Sequence, residues 1–159
     1  MMSLSTSYPP TANLKSLVRT VRERLGRMPT PLLELMGRVG VAAVFWKSGM
    51  VKIASWETTL QLFQEEYRVP LLPPETAAYL GTAVELGGPV LIAFGIGARF
   101  GALALLGMTL VIQAFVYPEN WSEHLLWASV LAYILTRGAG VLSLDHLIAR
   151  RWLDADDRN

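Results

Sequence analysis

The sequence contains no cysteine among its 159 residues. This absence excludes disulfides, thiolate metal sites, iron–sulfur clusters and a dithiol relay within the chain. Charged residues are also scarce, at 17% against about 25% in an average soluble domain, whereas 52% of the residues are hydrophobic. The formal net charge is only +1, so the chain lacks the basic surface expected of a nucleic-acid-binding protein, and no nucleic-acid partner is predicted.

Glycine-rich nucleotide loops and paired haem ligands are missing as well. The Gly-Xaa-Gly at 95–97 and the Gly-Ala-Gly at 138–140 follow no predicted strand, so they indicate turns and not a dinucleotide fingerprint. His124 and His146 are predicted on opposite sides of a membrane, which excludes a bis-histidine haem between them. We therefore expect no redox cofactor of the chain's own, and predict no catalytic or metal-binding residue.

One long part of the sequence is almost free of charge. Between residues 76 and 118 the charged side chains are Glu85 and Arg99, and Arg99 lies among glycines that indicate a turn. The two flanking segments each approach the ~20 residues that cross a bilayer, which predicts two adjacent hydrophobic helices. A soluble helical bundle is the alternative, but neither segment has a polar stripe for water to contact.

Glu85 lies near the middle of the first of these helices. A single carboxylate at this depth is costly, so we expect it to face the protein interior and to have a partner. Pro89 cannot donate the backbone hydrogen bond to the Glu85 carbonyl, which adds a second polar group at the same place. Gly81, Gly88 and Ile92 share the face of Glu85, and these glycines would let a neighbouring helix approach the acid.

Hydropathy and charge together predict an all-α fold, an integral membrane four-helix bundle. The predicted spans cover residues 32–55, 75–97, 100–117 and 122–136, and the long loop after the first span contains a short surface helix at 57–67. Basic residues precede the first span, join the second to the third and follow the fourth, whereas the opposite loops are mainly acidic. The positive-inside rule then places both termini in the cytoplasm, as expected for a multi-pass protein of a bacterial inner membrane.

The region before the first span has a different character. Residues 1–12 are predicted to be unstructured, and Asn13 is a candidate cap for a helix over 14–27 that is apolar on one side and basic elsewhere. Such a helix suits the surface of an anionic leaflet, although a helix with no role beyond orientation is an equally good interpretation. Because charges interrupt its apolar stretch, it is not a signal peptide. The predicted organisation is a cytoplasmic tail with this interfacial helix at 1–31, a transmembrane domain at 32–151 and a cytoplasmic polar tail at 152–159.

The first predicted span is the least conventional because it carries four charged side chains. Two of them are predicted on the same face of the helix. Arg38 and Lys52 lie on that face, each within about 10 Å of the depth of Glu85 along the membrane normal. We therefore predict an interior network of Arg38, Lys52 and Glu85, joined by Gln113 from the third span. A Lys47–Glu85 pair is the alternative, since Lys47 matches the depth of Glu85 but lies off the shared face. The cluster suits an anionic head group, a quinone carbonyl or a small solute, and the competing interpretation is that it only holds the helices together.

A smaller polar cluster lies at the outer end of the third and fourth spans. It consists of Glu119, Glu123 and His124. One histidine with two carboxylates is a weak pattern for a metal site, and an exposed loop end is the interpretation we favour.

The inner end of the fourth span carries turn and cap residues. Gly138 and Gly140 are expected to end the span. Ser143 or Asp145 is then the expected cap of a short interfacial helix that continues to Arg151.

Several different short motifs are distributed along the four predicted spans. Each motif alone is weak evidence for a family, but the set taken together is specific. They are Arg38 with Ser48-Gly49-Met50-Val51-Lys52, then Glu85-Leu86-Gly87-Gly88-Pro89 followed by Gly95-Ile96-Gly97-Ala98-Arg99, then Pro118-Glu119-Asn120-Trp121-Ser122-Glu123-His124-Leu125-Leu126-Trp127, and Arg137-Gly138-Ala139-Gly140-Val141-Leu142-Ser143-Leu144-Asp145. Across residues 32–150 the sequence thereby resembles the DoxX family of small bacterial membrane proteins. Ala139 stands where family members usually have proline, which affects only the shape of that turn.

The resemblance implies a four-helix inner-membrane protein with a loose link to quinone-coupled sulfur oxidation and to membrane oxidoreductase complexes. Nothing in the residues themselves indicates electron transfer. Our first hypothesis is a non-catalytic subunit that binds a small amphiphile, such as a quinone or a lipid, at Arg38, Lys52 and Glu85 and supports an oxidoreductase partner. The alternatives are a small-solute or proton-coupled transporter that uses Glu85, and a structural membrane scaffold. A homo-oligomer is compatible with each of them, as are contacts with membrane lipids.

Overall fold

The computed structural model describes residues 14–156, with side chains as far as Arg151. The predictions for residues 1–12, for Asn13 as a helix cap and for the end of the polar tail at 157–159 lie outside these residues. The described part of the chain is helical and contains no strand, which confirms the predicted all-α fold. Its helices are α1 (Leu14–Leu25), α2 (Thr30–Ala54), α3 (Trp56–Leu62), α4 (Pro74–Phe94), α5 (Ala98–Val111), α6 (Trp121–Arg137) and α7 (Leu144–Asp156).

The chain divides into two compact units, one that ends at Thr30 and one that begins at Pro31. The described part of the first unit is mainly α1, which buries no residue. Arg19 and Glu23 form an ion pair of 2.9 Å along its polar side. The large apolar side chains of its stripe are all exposed, namely Leu14, Leu17, Val18, Val21 and Leu25.

Proline and glycine set the limits of the helices in the second unit. Pro74 occupies the first turn of α4, where its missing N–H has no partner to lose. Gly95 ends α4 with a φ of 66°, and Gly138 follows α6 with a φ of 84°, so both occupy backbone conformations that favour glycine. The prediction that Gly138 ends the fourth span is confirmed.

Two shorter segments extend the helices at the same end of the bundle. α3 continues into a π-helical turn at Phe63–Tyr67, which confirms the surface helix predicted after the first span. α5 continues into a second π-helical turn at Ile112–Val116, followed by a 3₁₀ turn at Pro118–Asn120. The Thr59 hydroxyl donates to the Lys52 carbonyl at 3.0 Å and so satisfies a carbonyl of the last turn of α2.

The long helices α2, α4, α5 and α6 form an antiparallel bundle. α4 packs along α5 and α5 along α6. α2 contacts α6 where the Phe45 and Trp127 rings meet edge to face at 5.4 Å. The interior side chains that are almost entirely buried include Ile92, Leu105, Leu131 and Ile134, one or two from each of α4, α5 and α6.

Among the residues that the structure describes, two helices are long and apolar enough to cross a membrane, Pro74–Phe94 and Ala98–Val116. α2 has 25 residues but carries four charged side chains, and α6 has only 17 residues. All four long helices nevertheless expose large apolar side chains, such as Val51 on α2, Phe94 on α4, Phe100 on α5 and Leu125 on α6. An apolar perimeter of this kind fits an all-α membrane protein, and the crossing of the bilayer by α2 and α6 stays a prediction.

Glycines allow the close approach of α4 to α5. A Cβ atom on Gly101 would lie 2.9 Å from the Gly88 carbonyl oxygen and 3.0 Å from Leu91 Cβ. A Cβ atom on Gly88 would lie 2.8 Å from the buried Leu105 side chain. Gly88 therefore serves the helix contact that the sequence predicted for its face of α4.

We expect Gly101→Ala to destabilise the protein by about 1–3 kcal/mol, because the new methyl group overpacks against backbone that cannot move aside. Gly107→Ala is the matched control on the same helix, since a Cβ atom there has nothing within 4 Å. The control should stabilise the protein by up to about 1 kcal/mol, because alanine is the better helix former at an unobstructed interior position. Thermal unfolding in detergent measures both variants, and equal midpoints for the two would contradict the close α4–α5 packing.

Candidate functional site

An ion pair between α2 and α4 lies at the centre of the candidate site. Lys52 Nζ donates to both carboxylate oxygens of Glu85 at 2.7 Å, and the two side chains are only 14% and 5% exposed. The Ser48 hydroxyl lies 3.0 Å from Lys52 Nζ and 3.0 Å from Glu85 Oε1, so it joins the same hydrogen-bonded group. Glu85 thus faces the protein interior with a basic partner, as its position in an apolar helix predicted.

Gly49 explains how α2 comes close enough for this pair to form. A Cβ atom on Gly49 would lie 2.8 Å from the Leu86 side chain and 3.2 Å from Glu85 Cβ. Gly49 precedes Lys52 by three residues and follows Ser48 directly, so all three lie near one face of α2. The Ser-Gly-Met-Val-Lys motif therefore combines the two polar partners of Glu85 with Gly49, the small residue that allows α4 to approach α2 at this point.

Arg38 does not join this network. It lies on α2 about four turns, or about 21 Å, from Lys52. Its guanidinium is 2% exposed and donates from Nη2 to the Leu142 carbonyl, beside Gly95 and Ser143. The prediction of an Arg38–Lys52–Glu85 network was wrong for Arg38, because residues on one face of a long helix still differ in depth.

Glu34 lies one turn before Arg38 on α2 but contacts a different side chain. Glu34 accepts a hydrogen bond from the Tyr133 hydroxyl at 3.0 Å. The ion pairs among residues 14–156 are Arg19–Glu23 and Lys52–Glu85, so Glu34 and Arg38 do not form one. Nε and Nη1 of Arg38 find no hydrogen-bond partner within the described part of the chain.

Gln113 binds His124 and not the Lys52–Glu85 pair. Its side-chain oxygen lies 2.6 Å from His124 Nδ1, and its amide nitrogen donates to the Pro118 carbonyl at 2.8 Å. His124 is 4% exposed, so the expectation of an exposed loop end was wrong for this residue. Its ring also lies against Trp127, with the centroids 5.3 Å apart.

A helix-face argument would have found the burial of His124. His124, Trp127, Leu131 and Ile134 are spaced three, four and three residues apart, so they lie on one face of α6. Leu131 and Ile134 are buried, and His124, in the first turn of α6 on the same face, is buried with them. The neighbouring Glu119 and Glu123 obscured this pattern because both are exposed.

The hydrogen bonds of Gln113 fix the state of the His124 ring. Because the Gln113 amide nitrogen donates to Pro118, the Gln113 oxygen is the acceptor for His124 Nδ1–H. In the neutral ring Nε2 is then an acceptor. When the ring is neutral, His124 therefore offers Nε2 as a hydrogen-bond acceptor at the end of the bundle that the π-helical turns extend.

The other predicted residues lie at the surface. Lys47 is exposed on α2, so the alternative Lys47–Glu85 pair was wrong. Glu119 is exposed in the 3₁₀ turn, and Glu123 is exposed on the first turn of α6. Within residues 14–156, no three histidine or carboxylate side chains come together as metal ligands would.

A cavity of about 490 Å³ lies between the Lys52–Glu85 pair and His124. It lies between one end of the four long helices and the segment from Phe63 to Leu72, and most of its walls are apolar. Lys52 and Glu85 contribute to one part of the wall and His124 with Trp127 to another. Its remaining polar lining includes Ser48, Tyr67, Tyr117, Asn120 and Glu123.

Aromatic residues line the cavity beside the two π-helical turns. The Tyr117 hydroxyl donates to Glu66 Oε1 at 2.6 Å and so ties the end of the α5 extension to the π-helical turn after α3. The Tyr67 ring lies 5.7 Å from that of Tyr117 and 4.9 Å from that of Phe63. Both extensions of the helices are π-helical turns, which occur frequently at functional sites.

Comparison with known proteins adds a family and two relatives. A family model described as DoxX matches residues 33–118, a range that includes Lys52, Glu85 and Gln113. An uncharacterized protein of Haemophilus influenzae is 28% identical over 126 residues, which cover 73% of this chain and 83% of the relative. The inner membrane protein YqjF of Escherichia coli is 29% identical over 129 residues, which cover 74% of this chain and 93% of the relative. No solved structure matches the chain.

Removal of one charge of the buried Lys52–Glu85 pair should destabilise the protein more than removal of both charges. We expect Lys52→Met to destabilise the protein by about 3–5 kcal/mol, because Glu85 keeps an uncompensated charge. The double variant Lys52→Met/Glu85→Leu should recover most of that loss, whereas the exposed control Lys47→Met should change stability by at most about 0.5 kcal/mol. Thermal unfolding of the four proteins in detergent gives the comparison, and a double variant no more stable than Lys52→Met would contradict the pairing.

The bond between Tyr117 and Glu66 should survive neutral pH and break only in alkali. Burial first, then the hydrogen bond to Glu66, raises the pKa of Tyr117 above its ordinary value. The stability from this group is therefore complete below pH of about 10 and is lost as the pH rises through the raised folded-state pKa. Tyrosinate absorbance should show a late-ionising tyrosine that Tyr117→Phe removes and that Glu66→Gln moves to lower pH. Removal of an early-ionising tyrosine by Tyr117→Phe would contradict the assignment.

Proposed function

The chain belongs to the DoxX family of membrane proteins, and we propose that it is a non-catalytic subunit whose outer cavity binds a small neutral amphiphile such as a quinone. In this proposal the polar end of the ligand meets the His124 side of the cavity, and its apolar part lies along the aliphatic and aromatic walls. The family match supports the membrane setting. The ligand itself is inferred from the cavity.

The observation that carries the proposal is the cavity between α2, α4, α5 and α6. Its volume of about 490 Å³ falls within the range of about 300–1,000 Å³ typical of small-molecule sites. Such sites combine mostly apolar walls with a few placed polar groups. The acceptor Nε2 of His124 and the hydroxyl of Ser48 are groups of this kind.

Charge pairing favours a neutral ligand over an anionic head group, the other ligand class considered from the sequence. Lys52 is the one basic residue that lines the cavity, and its charge is already matched by Glu85. Arg38, the second cation expected there, belongs to the opposite end of α2. Glu123 adds a negative charge to the lining, so an anion would gain little from entering.

The two alternative functions receive less support from the geometry. A proton-coupled transporter would need Glu85 to take up and release a proton, but both of its oxygens are held by Lys52. A structural scaffold explains why the pair joins α2 to α4, yet it gives no reason for the cavity beside that pair. Binding of an amphiphile accounts for both features.

The setting of the proposal is a bacterial inner membrane crossed four times, with the cavity towards the outer side. The relative named as an inner membrane protein supports that location. The basic residues that flank the predicted spans support the orientation. A partner oxidoreductase is an implication of the family resemblance, and a homo-oligomer is compatible with the same proposal.

Trp127 provides a direct reporter for the ligand because it lines the cavity. We expect decylubiquinone to quench the fluorescence of the purified protein in a saturable way, and Trp127→Phe should remove most of that signal. His124→Phe should raise the Kd by about 3- to 10-fold, as expected for one lost hydrogen bond. His146→Phe is the matched control, because His146 lies on α7 outside this cavity.

Quenching that never saturates, or an equal Kd for both histidine variants, would contradict quinone binding in the cavity. Solvent extraction of the protein purified in mild detergent, followed by mass spectrometry, then identifies the amphiphile that the cavity retains. A retained phospholipid in place of a quinone would keep the cavity as the site and change the ligand class.

A further inference from the structure

A second groove lies at the opposite end of the bundle, where α5, α6 and α7 meet. It has a volume of about 580 Å³ and is bordered by Arg99, Arg137 and His146. None of these residues belongs to the cavity around Lys52 and Glu85. We propose that this groove binds the phosphate head group of an anionic phospholipid.

Hydrogen bonds hold together the backbone segments that border the groove. Gly97 N donates to Asp145 Oδ1 at 2.9 Å, and Asp145 N donates to the Gly95 carbonyl at 2.9 Å, so the α4–α5 turn is tied to the start of α7. The Ser143 hydroxyl accepts from His146 N at 3.2 Å and caps α7, as the sequence predicted. These hydrogen bonds fix the turn between α6 and α7 relative to the first turn of α5.

Neither arginine of the groove has a carboxylate within ion-pair distance among the residues that the structure describes. Arg99 lies along the backbone of Gly138 and donates to the Thr136 carbonyl at 3.4 Å, and Arg137 is the last residue of α6. Neither belongs to the two ion pairs found in residues 14–156. The single carboxylate of the groove, Asp145, already accepts from Gly97. The lining is therefore net positive even with Asp145 counted.

Apolar side chains continue from the basic groove onto the surface of the bundle. Phe100 borders the groove and is 77% exposed, and Val141 borders it and is also exposed. A free phosphate would leave these side chains in contact with solvent, whereas the acyl chains of a phospholipid would cover them. The combination of two unpaired cations with an exposed apolar edge favours a phospholipid over a soluble anion.

The predicted position of the groove on the cytoplasmic side of the membrane is consistent with binding of an anionic lipid. Arg99 and Arg137 flank the spans at the end that the positive-inside rule assigns to the cytoplasm. Anionic lipids give the cytoplasmic leaflet its negative surface potential, and basic pockets between helices on that side bind lipid head groups. The inference does not depend on the quinone proposal, because the two sites share no residue.

The test titrates the full-length protein in detergent with phosphatidylglycerol or phosphatidylcholine and counts bound lipid by native mass spectrometry. We expect Arg99→Gln/Arg137→Gln to bind phosphatidylglycerol about 30-fold more weakly. Arg150→Gln/Arg151→Gln is the matched control, because it removes the same charge from α7 outside the groove and should keep parental binding. Arg99→Lys/Arg137→Lys keeps the charge and should retain most of the affinity, which separates lost recognition from lost folding.

Three outcomes would overturn the proposal. One is an equal loss in the groove variant and the control variant, which would indicate only general attraction between charges. Another is equal binding of phosphatidylcholine and phosphatidylglycerol by the parent. The third is displacement of phosphatidylglycerol by an equal concentration of glycerol phosphate, which would indicate a site for a soluble phosphate. Decylubiquinone quenching measured on the same variants keeps this result separate from the outer cavity.

Discussion

The ion pair between Lys52 and Glu85 is the interaction on which the arrangement of α2 depends. A charged side chain within an apolar bundle is tolerated only when a partner and further hydrogen bonds compensate its desolvation. Lys52 meets both oxygens of Glu85 and Ser48 joins the pair, so each group compensates the other. α2 has no long close contact with α4 comparable to that between α4 and α5. The pair and the adjacent Gly49 therefore determine where α2 lies against α4.

The two ends of the bundle differ in what surrounds their open space. At the end near α7, Gly95 leaves room for the Arg38 guanidinium and Ser143, and Arg38 donates to the Leu142 carbonyl across the junction. At the other end, the helices are extended by π-helical turns, and aromatic rings line the space between them. The space beside the π-helical turns is therefore a mostly apolar cavity, whereas the groove at the end near α7 is bordered by arginines.

Much of the fold follows from the sequence, because hydropathy, proline and glycine determine helices locally. The all-α fold, the ends of α4 and α6, the serine cap of α7 and the inward position of Glu85 were predicted on that basis. Arg38 was misplaced because periodicity gives the face of a helix and only a loose estimate of depth. His124 was misplaced because two exposed acids beside it suggested a loop. The cavity was beyond prediction, since its walls come from side chains on six separate segments whose packing no local pattern encodes.

Charge pairing, more than the number of charged residues, decides what each end can bind. The outer cavity contains Lys52, Glu85 and Glu123, yet the lysine is neutralised and a neutral polar group remains the best match for His124 and Ser48. The inner groove contains fewer acids than bases, and its arginines have no carboxylate partner in the described chain. An unpaired cation at a membrane surface attracts an anion, whereas a paired cation inside a bundle contributes mainly to helix packing. Under the two proposals, one small bundle binds a neutral amphiphile beside Lys52 and Glu85 and an anionic lipid beside Arg99 and Arg137, because the lysine is paired with an acid and the arginines are not.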